Sequence, residues 1–383
     1  MGRRSTAPGA RRLAAAAVGC LLLAGCGGGG YEPAGPFREL PQGQPPEVAP
    51  PPQGNSVPAP PAPGSPGVGE EADGDPNVVA TDLAVPTGLV VLPDGTAVVG
   101  ERDTGRLLQV FPDRSPAVEL MTLPGIDAGG DGGLLGLAIS PTFAEDGLYY
   151  AYVSTVTDNR VVRFPMGGTP NPVLTGIPHG AEHNGGGLLF TPDGTLYVGT
   201  GDVGDPALAD DPASLAGKVL AVDVFGQPVG ASPVFSRGHR NVTAICTGAE
   251  QLYATDEALT GPDEFVALTP GADQGPAGVP PVLEVPGADG GLGGCAVSGP
   301  YVFLGAMDGR RVQVLQLDGS GAPVEDPEPF LEDQYGRLRT VVLDPSGAMW
   351  ITTSNRDGLG TPEADDDRVL RVVPPASGGD SPL

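Results

Sequence analysis

The run Glu182-His183-Asn184-Gly185-Gly186-Gly187-Leu188 sets one of only three histidines in a glycine-rich turn just ahead of an apolar segment. An imidazole titrates near neutral pH, and a loop feeding a β-strand can present it to a ligand as a general base. The competing reading is a solvated residue that merely closes a hairpin. Three other short stretches bear on the choice. Gly238-His239-Arg240-Asn241-Val242 and Arg337-Leu338-Arg339 carry guanidinium groups, and Gly129-Gly130-Asp131-Gly132-Gly133-Leu134-Leu135-Gly136 is a second glycine-rich run. Arg337 and Arg339 are two residues apart, so an extended chain sends both to one face. Arginines gathered around a histidine suit a ligand with several carboxylates, because guanidinium groups bind carboxylates through paired, charge-assisted hydrogen bonds.

Groups so far apart in the chain need a scaffold that returns each to a common place. A turn-and-strand unit recurs: Leu92-Pro93-Asp94-Gly95 leads into Thr96-Ala97-Val98-Val99, Thr191-Pro192-Asp193-Gly194 into Leu196-Tyr197-Val198, and Asp344-Pro345-Ser346-Gly347 into Met349-Trp350-Ile351. Proline presets one backbone angle and glycine accepts a positive one, which is turn chemistry. The markers Pro93, Pro141, Pro192, Gly248, Gly299 and Pro345 lie 48, 51, 56, 51 and 46 residues apart. Helical periodicity is nearly absent. Six such units of several short strands predict an all-β chain, a six-bladed β-propeller with four-stranded antiparallel blades around a central channel. A β-sandwich is the alternative, but it gives no reason for the period. In a propeller the four chemical stretches open blades and converge on the channel mouth, a usual place for a ligand.

The remaining sequence bounds the setting. Arg3, Arg4, Arg11 and Arg12 precede the apolar run Leu13 to Leu23, which is too short for a stable membrane span and reads as an export signal. Leu23-Ala24-Gly25-Cys26 resembles the lipobox of bacterial lipoproteins, so residues 1–25 are expected to be a signal peptide and Cys26 the lipidated residue. From residue 26 to 76 the chain is rich in glycine and proline and too poor in apolar periodicity to fold, a tether holding a domain at 77–374, with a short tail at 375–383. This places the protein outside the cytoplasm, attached to the membrane by its lipid alone. A formal net charge of −27, with Lys218 the only lysine, argues against a nucleic-acid partner. Cys246 and Cys295 occupy equivalent places in two repeat units, and in an exported protein they are expected to form a disulfide rather than stay as buried thiols. The acidic stretches Asp202 to Asp211 and Asp365 to Asp367 read as solvated loops.

From Leu83 to Val373 the chain resembles the glucose/sorbosone dehydrogenase family, the quinoprotein aldose dehydrogenases that use pyrroloquinoline quinone (PQQ). The likeness is most specific at Gly132 to Ala138, His183 to Asp202, Gly238 to Asn241, Arg337 to Arg339 and Thr352 to Gly358. It implies a six-bladed propeller, PQQ and calcium as cofactors, a sugar substrate and a separate electron acceptor. It further implies that His183 is the general base and that Arg240 stabilises charge on the quinone beside Asn241. Arg337 and Arg339 would hold the cofactor carboxylates, and the backbone carbonyls of Ala258 and Leu259 would bind calcium. Asp131 stands where the family usually has Gln or Glu in the cofactor site, Gly187 where it commonly has arginine, and Asp308 where it frequently has a basic residue. The segment from Phe265 to Gly290 is short. These departures support a second reading, a non-catalytic cell-envelope propeller binding carbohydrate or protein; Asp308 projecting into the cavity of Arg337 and Arg339 would favour it.

Overall fold

Short apolar segments that alternate with Asp-Gly turns can bury themselves only as antiparallel hairpins stacked side by side. In a computed structural model, which describes residues 74–248 and 251–374, they do so six times. Cys26, the signal segment and the tail fall outside the described residues, as does the tether except for 74–76. Blade 1 comprises Pro86–Val91, Ala97–Glu101, Arg106–Val110 and Val118–Thr122, and blade 2 comprises Leu134–Ile139, Leu148–Ser154, Asn159–Pro165 and Asn171–Ile177. Blade 3 is Leu188–Phe190, Leu196–Gly199, Lys218–Val222 and Val234–Arg237; blade 4 is Val242–Gly248, Gln251–Asp256, Asp263–Leu268 and Leu283–Val285. Blade 5 is Leu292–Ser298, Tyr301–Ala306, Arg311–Gln316 and Glu328–Phe330. Blade 6 takes Leu338–Leu343, Met349–Thr353 and Val369–Val372 from the C-terminal end, and Val78–Ala80 from the N-terminal end as its outer strand. That antiparallel pairing, Val78 opposite Leu370, closes the ring. The fold is the six-bladed β-propeller expected from the repeat.

The core lies between blades. Six apolar clusters fill the six interfaces, such as Leu107, Leu134, Tyr149 and Phe164 between blades 1 and 2, and Val99, Val110 and Trp350 between blades 6 and 1. The innermost strands crowd each other: a Cβ on Gly136 would lie 2.0 Å from the carbonyl oxygen of Gly186. Cys246 and Cys295 form the expected disulfide and join the inner strands of blades 4 and 5. Among the described residues no helix is long and apolar enough to cross a membrane.

Chain direction gives the ring two unlike ends. Each inner strand runs toward the Pro-Asp-Gly hairpin end, and the second strand returns to the other. The returning end therefore collects two sets of residues from every blade, those just before the inner strand and those just after the second. In five blades the inner hairpin also shifts register at this end, at Pro86/Gly88, Leu134/Gly136, Val242/Ala244, Leu292/Gly294 and Leu338/Val341. Such bulges re-aim side chains at strand starts.

Candidate active site

A cavity of about 320 Å³ opens at this returning end. Asp131, His183, Asn241, Arg337 and Arg339, all from the chain ahead of or beginning inner strands, line it together with Arg102, Glu257, Met307 and Asp357, all from the chain after second strands. Ala258 and Leu259 lie on its wall beside Glu257.

His183 is 5% exposed and adopts a left-handed backbone, with φ at 55°. Its loop is held from several sides. Asp131 accepts a hydrogen bond from the His183 amide at 2.6 Å and another from the side chain of Asn184, while Asn241 accepts one from the Gly185 amide at 2.8 Å. A Cβ at Gly201 would fall 1.8 Å from the His183 carbonyl oxygen, so the return strand of blade 3 can approach the loop only with glycine there. The His183 imidazole Nδ1 lies 2.7 Å from a carboxylate oxygen of Asp202, itself 3% exposed. A carboxylate only accepts, so this contact puts the proton of the neutral ring on Nδ1 and leaves the lone pair on Nε2. Nε2 is buried with no hydrogen-bond partner among the described residues. Burial opposes the imidazolium, but the hydrogen bond and charge of Asp202, with Glu257 and Asp131 nearby, outweigh it and raise the His183 pKa above its ordinary value.

The cations are not equivalent. Arg337 donates through Nε to Asp357 at 2.9 Å and through Nη1 to Asp308 at 2.5 Å. Arg339 has no carboxylate within 4.0 Å among the described residues and reaches only the Met307 sulfur, at 3.6 Å. Burial is the main cause of its lowered pKa, with Arg102 adding to it. Glu257 accepts from the Asn241 side chain at 2.8 Å, and burial raises its pKa to about 7 despite the opposing pull of Arg339. Arg240 does not join them. Its guanidinium donates to the carbonyls of Pro262, at 2.9 Å, and Asp256, at 3.2 Å, and sits 3.3 Å from Glu264. Neighbours in an extended chain point to opposite sides, so Asn241 faces the cavity and Arg240 faces away. Asp308 lines an adjoining cavity of about 460 Å³, and Gly187 lies on the narrow central channel.

Two sequence readings need correction. The stretch from Asp202 to Asp211 is not uniformly solvated: Asp202 is the buried partner of His183, while Asp205 caps the short helix Pro206–Asp210 through the Ala207 amide. Asp366 and Asp367 are 1% and 0% exposed, and Asp367 accepts the Asn355 amide at 2.5 Å. Burial, with the Asp366 charge beside it, raises the Asp367 pKa to about 6. The contributions of Arg102, Asp202, Glu257 and Asp357 went unseen in the sequence. Their common signal is a polar residue within a few positions of the end of a second strand.

The sequence model of the glucose/sorbosone dehydrogenase family matches residues 83–280. Among solved structures, the PQQ-bound form of the aldose sugar dehydrogenase from Streptomyces coelicolor is 38% identical, with 77% of this chain and 96% of that one covered at a TM-score of 0.73. A putative glucose dehydrogenase from Thermus thermophilus is 33% identical, with 77% and 98% covered and a TM-score of 0.71. Quinoprotein glucose dehydrogenase B of Acinetobacter calcoaceticus is 25% identical over 249 residues, 52% of this chain and 52% of that one. An uncharacterized Synechocystis protein is 29% identical over 51% of this chain and 57% of its own length, so the chain spans about half the length of these two curated relatives. With the blade count, the matched segment and the near-complete overlap with the Streptomyces structure in agreement, the chain belongs to the glucose/sorbosone dehydrogenase family.

Proposed function

We propose that the protein oxidises an aldose at its anomeric carbon to the lactone, with PQQ as hydride acceptor. The observation that carries this reading is the His183 Nε2, backed by Asp202 and free among the described residues, in a cavity that also holds Arg339, which has no carboxylate partner among them. The residues present fit the cofactor. Ligand sites commonly enclose roughly 300 to 1,000 Å³, and the cavity reaches that range. Arg339, Arg102 and the unshared donors of Arg337 would hold its carboxylates. The carbonyls of Ala258 and Leu259, with the Glu257 carboxylate beside them, are oxygen donors of the kind calcium takes.

When bound, PQQ supplies an electrophilic carbonyl carbon that takes the hydride. His183 does the proton chemistry. Nε2 accepts the proton of the anomeric hydroxyl as the anomeric hydrogen leaves with its electron pair and the carbon–oxygen bond becomes double. Asp202 fixes the tautomer needed for this and balances the imidazolium that results. Asp131 holds the loop that aims the ring. Arg240 acts at a distance, by fixing the Asp256–Pro262 segment on which Glu257 sits. The reading extends to location: the export signal, Cys26 as lipid site and the disulfide together support a membrane-anchored protein outside the cytoplasm, passing electrons to a separate acceptor. Asp308 projecting into the cavity of Arg337 and Arg339 would favour the non-catalytic alternative; Asp308 lines the adjoining cavity and meets Arg337 at the divide.

The test is to add PQQ and calcium to the purified protein and follow reduction of an artificial electron acceptor with a panel of aldoses. Turnover that requires both PQQ and sugar is expected. Absence of both PQQ binding and turnover overturns the reading.

A further inference from the structure

The cavity of His183 and its larger neighbour share Met307, Arg337 and Leu359, and the Arg337–Asp308 ion pair stands at the divide between them. The two carboxylates on Arg337 are held differently. The Asp357 side chain is 4% exposed, and its second oxygen accepts the amides of Leu359, at 2.8 Å, and Gly360, at 3.2 Å, so it is locked in place. The Asp308 side chain is 48% exposed, and Arg337 is its one hydrogen-bond partner among the described residues. The Asp308 carboxylate is thus tied only to the group that a ligand carboxylate needs. Guanidinium binds a carboxylate best through two parallel donors, and Asp308 occupies Nη1 while Asp357 occupies Nε. An anion arriving at Arg337 must displace Asp308 or share its charge.

Resting on the functional reading above, we infer that Asp308 is an internal competitor for the cofactor's carboxylate: from the adjoining cavity it pairs with Arg337, and it must release that guanidinium when PQQ binds. Its carboxylate opposes the anionic cofactor twice, by blocking a donor and by like-charge repulsion across the divide. The residue therefore sets how tightly PQQ is held.

The experiment is absorbance titration of PQQ into the full-length protein at fixed calcium, comparing wild type with Asp308→Asn and Asp308→Glu. Asparagine removes the charge at nearly constant shape, whereas glutamate retains a carboxylate able to reach Arg337. Asp308→Asn should lower the Kd for PQQ by roughly tenfold, the order expected for releasing one charge-assisted hydrogen bond. Asp308→Glu should stay near wild type, a rescue that loss of packing alone would not give. An unchanged or weaker Kd in Asp308→Asn, with wild type still binding, overturns the competition and leaves the functional reading standing. Binding by Asp308→Asn alone supports the competition and removes PQQ as the native cofactor. Binding by none of the three overturns both.

Discussion

The two ends of the propeller are built by the same six inner hairpins, yet they hold their polar groups in opposite ways. At the hairpin end, Asp94 accepts the amide and hydroxyl of Thr96, and Asp193 repeats the arrangement in blade 3 with Thr191 and Thr195. In blade 6 Asp344 accepts the amides of Ser346 and Ala348 through one oxygen, while the other takes Trp350 and Arg371. The glycine of each turn has a positive φ, 84° in Gly95 and 87° in Gly194. At the returning end the partners are far apart in sequence: Asp131 reaches 52 residues to the His183 amide, Asn241 reaches 56 to Gly185, and Arg337 reaches 29 to Asp308. Carboxylates on the exposed turns are stabilised as anions and their pKa values fall, as at Asp94 through its bonds to Thr96. At the cavity, burial of Glu257 moves its pKa the other way. The hairpin end is structure that each segment specifies for itself. The returning end is chemistry assembled only when the ring closes.

Breaking the returning end should cost most. Asp202→Asn removes the acceptor that fixes the His183 tautomer, and turnover should fall by roughly a hundredfold. The pH profile gives the sign. His183 must be unprotonated to act as base, so activity is lost as pH falls through its pKa, which Asp202 holds above the ordinary value. Without that carboxylate, burial dominates, and the acid limb of kcat/KM should move to lower pH. A limb that stays in place or moves up contradicts the arrangement.

Removing the tie between the inner strands of blades 4 and 5 tests the scaffold rather than the site. Replacing Cys246 and Cys295 together by alanine should lower stability by about 2–4 kcal/mol, read from denaturant unfolding, with kcat on the remaining folded protein nearly unchanged. The smallest effect belongs to the hairpin end. Asp94→Ala loses two bonds on an exposed turn and should cost under about 1.5 kcal/mol with no change in kcat/KM. A large loss of activity there would mean that the two ends are coupled in a way their separate bonding does not provide.

This contrast also explains what the sequence could reveal. The ring was legible because each hairpin carries its own turn chemistry, and the spacing of those turns counts blades without knowledge of any long-range contact. His183 was legible because its glycine-rich loop is local as well. Arg337 and Arg339 were placed together by their spacing of two. The same alternation separates Arg240 from Asn241, so of two residues adjacent in sequence one lines the cavity and the other faces away. Glu257 and Asp357 reach the cavity, and Asp202 reaches the His183 ring, from the chain that follows strands returning from the hairpin end, and each sits among other acidic residues that differ from it only in where the chain turns back. Nothing local distinguishes Asp202, buried against an imidazole, from Asp205, exposed at a helix cap.

In the proposed reaction His183 takes the substrate proton in a cavity that holds the quinone independently of it. The most direct measurement is the rate of sugar-dependent reduction of PQQ in the loaded protein, followed by absorbance in wild type and His183→Gln with cofactor binding titrated in both. In His183→Gln the rate should be lower by about a hundredfold or more with PQQ still bound. Equal rates in the two proteins would contradict that role for His183.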